Sequence, residues 1–288
     1  MIGVNKYNLN ILFLGGDKRQ EHIYKIFSKK FMNCNLTAVD EKGLDWDLLK
    51  EAEVLILPTI ASTDDLTLNA PMFEDRIKLK DIFQNSIATK AVIAGKMSQH
   101  LSHECERYGK LYKQYADCES FKILNAIPTA EGAIALAINN TEKTIWGSNC
   151  LVIGNGCIGK TLAKLLSSFG ATVTVSARKG EDFAEIKSKN LYCIETKNIA
   201  SELYKYDVIF NTVPYRIIET DTLKMLNGNQ LIIDLASKPF GLDHTFASEC
   251  QCKIILGSSL PGIYSPRTAA EIAAVAIEQL INEVIEIE

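Results

Sequence analysis

The sequence predicts an α/β protein of two doubly wound parallel-sheet domains. Three observations predict it: a length of 288 residues, short apolar runs alternating with helical patterns throughout, and a glycine-rich turn between one such run and the helix after it. At roughly 150 residues per domain, the length corresponds to about two domains. The runs are apolar at successive positions, as strands buried on both faces of a helix-covered parallel sheet require.

In the first half the expected strands are Asn10–Leu14, Leu36–Val39, Val54–Leu57, Ala91–Ala94 and Phe121–Asn125. Helical patterns separate them at Gln20–Lys30, Trp46–Glu53, Arg76–Phe83 and Ser102–Tyr112. Ala130–Asn140 reads as a helix after the fifth strand, bridging the two halves and closing near Thr141. The second half repeats the grammar, with strands at Cys150–Ile153, Thr172–Ser176, Val208–Asn211, Leu231–Asp234 and Lys253–Leu256. The helix Ile158–Phe169 carries Leu162, Leu165 and Leu166 on one face and ends at Gly170, a residue suited to the left-handed conformation after a helix. The tail Thr268–Ile287 repeats Ile272, Ala276, Leu280 and Val284 at spacing four, an amphipathic helix with no strand to follow. By analogy with two-domain dehydrogenases it is expected to return to the first domain. The expected division is therefore 1–140, 141–266, and a returning helix over 267–288.

Composition narrows the function classes. Thirty-one basic residues against 35 acidic give a net charge of −4, which argues against wrapping nucleic acid. With 47% hydrophobic and 23% charged residues, the chain is globular in composition. Its eight cysteines form no C-x-x-C pair, so no metal is expected and reduced thiols in the cytoplasm are the default. Met1–Asn10 is too polar for a signal peptide. The nearest approach to a membrane span, Ile123–Ile138, contains Pro128 and Glu131, so no membrane association is expected.

The string Gly154-Asn155-Gly156-Cys157-Ile158-Gly159 places G-x-G-x-x-G directly after a strand and at the head of a helix. Gly154 serves the tight turn, Gly156 lets the backbone approach a pyrophosphate, and Gly159 lets helix and strand pack closely. The helix N-terminus adds free N–H groups and partial positive charge. This context makes the loop a dinucleotide site. An NAD site usually carries an acid about 20 residues on. Here Ser176-Ala177-Arg178-Lys179 offers a hydroxyl and two cations, with no acid until Glu181. Arg178 can grip a 2′-phosphate with two prongs, so NADP is expected, with NAD as the alternative. A solvated loop is the plainer reading of the same cations. Thr212-Val213-Pro214, Ala236-Ser237 and Ser258-Ser259 follow later strands and belong to the same edge of the sheet, where small residues leave room for a nicotinamide.

Several strings together carry a resemblance: Gly15-Gly16-Asp17-Lys18-Arg19-Gln20, Pro128-Thr129-Ala130-Glu131-Gly132-Ala133, the glycine loop, Asp234-Leu235-Ala236-Ser237-Lys238-Pro239, and Leu260-Pro261-Gly262-Ile263-Tyr264-Ser265-Pro266-Arg267-Thr268-Ala269. In this order and spacing the chain resembles the family of dipicolinate synthase A subunits from spore-forming bacteria. The resemblance covers nearly the whole chain. It implies an N-terminal flavodoxin-like domain, a C-terminal Rossmann domain, and oxidation of a dihydrodipicolinate-type ring in the sporulating mother cell with a flavoprotein-like B subunit. The family tends to carry Gly-Gly and an Asp-Phe pair where this chain reads Phe240-Gly241-Leu242-Asp243-His244, so His244 inherits no role. Ala270 likewise replaces a family glycine.

Dipicolinate carries two carboxylates, and its site should supply partners for both, across from the nicotinamide. Asp17, Arg19, Lys96, Thr129 and Ser259 are the expected substrate-binding residues, Arg19 as a carboxylate fork and Lys96 as a point charge. Glu131, read at a strand-to-helix junction, is the candidate for proton transfer, and Ser237 for contact with the ring nitrogen or a carboxylate. For Thr129 and Glu131, an N-cap hydroxyl and a first-turn acid of a helix are the competing structural roles. A coenzyme-binding subunit without activity of its own, and a 2-hydroxy- or 2-amino-acid dehydrogenase, are the alternative functions. The oligomeric state is left open, a homo-oligomer included.

Overall fold

The computed structural model describes residues 8–39 and 43–286; the expectations for the first seven residues and for Ile287 fall outside that range. In the first half, β1 (Asn10–Leu14), α1 (Lys18–Phe27), β2 (Asn33–Thr37), α2 (Trp46–Glu51), β3 (Val54–Ile56), α3 (Leu79–Asn85), β4 (Ala91–Ala94), α4 (Gln99–Arg107) and β5 (Leu111–Gln114) alternate along the chain. The strands form one parallel sheet in the order β2-β1-β3-β4-β5. The order reverses between β1 and β3, which opens a crevice at their carboxyl ends. There the buried Gln20 donates from Nε2 to the Ile56 carbonyl at 2.8 Å, tying α1 to β3.

The expected strand at Phe121–Asn125 is not formed. Those residues belong to α5 (Glu119–Asn140), and the fifth strand is Leu111–Gln114, within and just after the run expected as helix. Burial explains the difference: Phe121, Ala126, Ala130, Ala133 and Ala137 are covered at helical spacing, while Ile123 and Leu124 are exposed. Pro128 lies inside α5, although proline removes a helical N–H and usually breaks a helix. By length and composition α5 could cross a bilayer, but half of its most apolar stretch is buried in the fold, as in a core helix.

The second half comprises β6 (Asn149–Ile153), α6 (Cys157–Ser168), β7 (Thr172–Ala177), α7 (Gly180–Ser188), β8 (Tyr192–Glu195), β9 (Val208–Asn211), α8 (Thr220–Lys224), β10 (Leu231–Asp234), β11 (Lys253–Leu256) and α9 (Leu260–Tyr264), followed by α10 (Pro266–Glu286). Its parallel sheet runs β11-β10-β9-β6-β7-β8, reversing between β6 and β9. One compact unit takes the chain to Leu124 and resumes at Pro266; the other is Asn125–Ser265.

Within the first unit, α10 packs on α1. Ala270, Ala273, Ala274, Ile277, Leu280 and Ile281 are buried in one core with Ile23, Phe27 and Phe13. Each large apolar side chain so buried stabilises by about 1.5–3 kcal/mol. The partly exposed Lys30–Glu278 pair (2.6 Å) contributes at most about 1 kcal/mol, so the apolar seam holds α10 in place.

Candidate functional site

The second unit's glycine loop is bare backbone shaped by close contacts. Gly154 has φ +101°, and its N–H lies 3.3 Å from both the Ser176 carbonyl and hydroxyl oxygens. A Cβ built on Gly159 would stand 2.1 Å from the Gly154 carbonyl oxygen, so only glycine lets α6 start this close to the turn. Gly156 occupies the N-cap of α6 with no side-chain cap, and nothing lies within 4 Å of where its Cβ would be. The first N–H groups of α6 have no helical acceptor, and the helix dipole adds positive charge at the same point. A cradle of this kind, open at Gly156 and closed by backbone behind it, fits a pyrophosphate.

The loop forms one wall of a cleft of about 990 Å³. Gly154, Asn155 and Gly156 line it with Ser176, Ala177, Arg178 and Lys179 from the end of β7. Thr212, Val213 and Pro214, beyond β9, form the opposite wall. Cys157, Ile158 and Gly159 begin α6 behind the loop, and Ala236 is buried outside the cleft wall. Ser176 does not present its hydroxyl outward as a phosphate donor would. The residue is fully buried, and its hydroxyl lies against the Gly154 N–H and Thr196, bracing the turn.

Sequence reasoning missed the other occupants of this cleft. Asp182, Glu195, Thr196, Lys197, Tyr215 and Ile217 also line it. Asn155 donates from Nδ2 to Asp182 at 3.0 Å and to Glu185 at 3.2 Å, anchoring the glycine loop to α7. Hydrogen bonds from Lys189 and Lys160 pull the Glu185 carboxyl down to about 2, so this brace is charged at neutral pH. Glu195 and Lys197 flank the end of β8, a half-exposed edge strand too polar to be read as one.

A second network lies at the end of β10. The fully buried Asp234 carboxylate accepts from Asn211 Nδ2 (2.8 Å), Ala236 N (3.1 Å) and Gly241 N (3.0 Å), and His244 Nε2 stands 2.9 Å away. Asn211 Nδ2 also donates to the Val213 carbonyl, and Gly241 accepts from Ile217 N–H; both bonds end on cleft-lining residues. The histidine set aside on sequence grounds is thus the carboxylate's fourth partner. A buried acid at a strand end, with a histidine ten residues on, is the readable signal.

The expected substrate residues are differently placed. Asp17 caps α1 and accepts from Arg19 N at 2.9 Å. Arg19 Nε and Nη2 both close on the Asp17 carboxylate, at 3.0 and 2.8 Å. The guanidinium fork expected to face a ligand is therefore already engaged along that edge. Burial works to raise the Asp17 pKa, but the hydrogen bonds and charge of Arg19 outweigh it and hold the carboxyl below its ordinary range. Nearby, the buried Tyr115 hydroxyl pairs with Thr59 Oγ1 at 3.0 Å. Lys96 is exposed in the loop after β4, whose backbone pairs with Thr59–Ala61.

Thr129 and Glu131 sit at no strand-to-helix junction; both lie within α5. The Thr129 hydroxyl donates to the Asn125 carbonyl at 2.7 Å, one turn back, which removes it from both the N-cap and the substrate-binding role. Glu131 is exposed mid-helix, which removes the first-turn reading as well. Ser237 is exposed in a turn where its carbonyl accepts from Phe240 N–H, and Ser259 is exposed with φ +55° at the head of α9.

Residues 10–116 match the family model for the N-terminal domain of the dipicolinate synthase A subunit, and residues 135–243 match "Shikimate / quinate 5-dehydrogenase". The dipicolinate synthase A subunit of Bacillus subtilis (strain 168) is 29% identical over 287 residues, covering 96% of this chain and 97% of its own length. The chain belongs to the family of dipicolinate synthase A subunits. The crystal structure of the family member from Bacillus halodurans superposes with a TM-score of 0.86 at 28% identity, over 95% of this chain and 97% of that one. A transhydrogenase from Sinorhizobium meliloti shares the fold, with a TM-score of 0.67 at 14% identity over 95% of this chain and 94% of that one. The two-domain parallel-sheet architecture is that of the family, and the dehydrogenase match makes this member an oxidoreductase with a cleft for a nicotinamide cofactor.

Proposed function

We propose that this family member oxidises a dihydrodipicolinate-type ring to dipicolinate, with NADP as the hydride acceptor. The full-length match to the A subunit of a dipicolinate synthase carries the reading. It is supported by the cleft, where Arg178 and Lys179 end β7 without an adjoining acid. The glycine loop and the head of α6 hold the pyrophosphate, and Arg178 and Lys179 hold the 2′-phosphate. A bound nicotinamide supplies a two-electron acceptor for the hydride that leaves a ring carbon. The ring also loses one proton, for which the exposed carboxylate of Glu131 is the proposed base. Ser237 and Ser259 serve the ring nitrogen or a carboxylate. Lys96, and the edge of Arg19 that Asp17 leaves open, serve the carboxylates. Aromatisation drives the reaction forward, so orientation is the chain's main contribution.

In this reading the chain works with a flavoprotein-like B subunit in the cytoplasm of a sporulating mother cell. The test supplies the purified chain, with and without that subunit, with NADP and freshly made product of dihydrodipicolinate synthase. Dipicolinate and NADPH are expected in equal amounts. Absence of both in both preparations, while a 2-hydroxy acid is oxidised, would overturn the proposal.

A further inference from the structure

We propose that Glu195 and Lys197 form a charge pair that sets the coenzyme preference, Lys197 supplying a third cation to the 2′-phosphate and Glu195 holding that cation when no phosphate is present. The inference rests on the NADP reading above and extends it to residues at the end of β8.

Strand register brings these groups together. Glu195 is the parallel partner of Ala177, so the residues that follow it leave the sheet beside Arg178 and Lys179. Thr196 fastens the two strand ends, its hydroxyl donating to the Ala177 carbonyl at 3.1 Å and lying 3.5 Å from Ser176 Oγ. Arg178, Lys179, Glu195 and Lys197 consequently line one cleft. Lys197 Nζ lies 2.6 Å from Glu195 Oε2.

The chemistry of the pair has two opposite outcomes. A bare carboxylate here would accept hydrogen bonds from an adenosine ribose and repel a 2′-phosphate, as the acid of an NAD site does. A bare ammonium would attract that phosphate. Together they are neutral, and the phosphate competes with Glu195 for Lys197. The competition is open because the lysine side chain is 77% exposed and the glutamate 50%, and exposed ion pairs are weak enough to exchange partners. The other acid of the cleft, Asp182, is engaged by Asn155. The same exposure means that neither side chain supports the core, so substitutions leave the fold intact.

The experiment measures NADPH and NADH dissociation constants by fluorescence titration of the full chain and of Lys197→Ala, Glu195→Gln and Arg178→Ala. Lys197→Ala is expected to weaken NADPH roughly three- to fivefold and to leave NADH unchanged or tighter. Glu195→Gln is expected to act in the opposite sense, tightening NADPH and weakening NADH. If both variants change the two nucleotides by the same factor, or change neither, while Arg178→Ala still shifts their ratio, the pair is a mere rim ion pair and this inference is overturned. If Arg178→Ala also leaves the ratio unchanged, the NADP reading itself has failed.

Discussion

Gly159→Ala is expected to raise the dissociation constant for nicotinamide dinucleotides by more than about 30-fold and to lower the melting temperature. The new methyl would stand 2.1 Å from the Gly154 carbonyl oxygen, a backbone atom with no rotamer to relieve the contact. Overpacking of this kind costs about 1–3 kcal/mol, and relief requires α6 to move away from the turn after β6. That movement opens the cradle in which the phosphates would sit. Gly156→Ala separates the two effects. Its Cβ meets nothing within 4 Å, so the melting temperature holds, yet the methyl stands in the space the pyrophosphate needs. Titration and thermal unfolding of both variants check this. A Gly159→Ala chain that binds nucleotide as tightly as the parent would remove the glycine loop from the site.

Arg178→Ala is expected to weaken NADPH by about 10- to 100-fold, because a charged hydrogen-bonding group contributes about 1.5–3 kcal/mol and each tenfold corresponds to about 1.4 kcal/mol. NADH, which lacks the 2′-phosphate, should lose little. Arg178 is exposed and makes no ion pair among the described residues, so the variant should fold normally. Equal losses for both nucleotides would contradict the assignment of this arginine to the 2′-phosphate.

The parts of the fold visible in the sequence are those whose burial leaves an uninterrupted apolar run. Strands β1, β3, β4, β6, β9 and β10 are buried along nearly their whole length and read directly as strands. Edge strands are different: β5 and β8 are at most half-covered, and their polar residues hide them. The apolar stretch at Phe121–Asn125 misleads for the reverse reason. Its exposed Ile123 and Leu124 make a helix look like a buried strand. Pro128 strengthens that error by suggesting that the helix starts later, which in turn creates a junction for Glu131 that the chain does not form.

The site shows the same division. Local motifs such as the glycine loop and Arg178 are legible because their chemistry lies within a few consecutive residues. Groups joined only by sheet register or by a long loop are not. Lys197 reaches the cleft because β8 pairs with β7, and His244 reaches Asp234 because the intervening loop folds back. Arg19 is legible as a guanidinium just past a strand end. Its Asp17 partner, two residues before it, reads in the sequence as a separate ligand contact, whereas in the fold it is the counter-charge of that guanidinium.

At the centre of this account, the cleft at the head of α6 holds a phosphate-bearing pyridine nucleotide. Calorimetric titration of the intact chain with NADPH and NADH, alone and with the B subunit present, tests it most directly. Saturable binding, tighter for NADPH, is the predicted result; a folded chain that takes up neither nucleotide in either setting would contradict it.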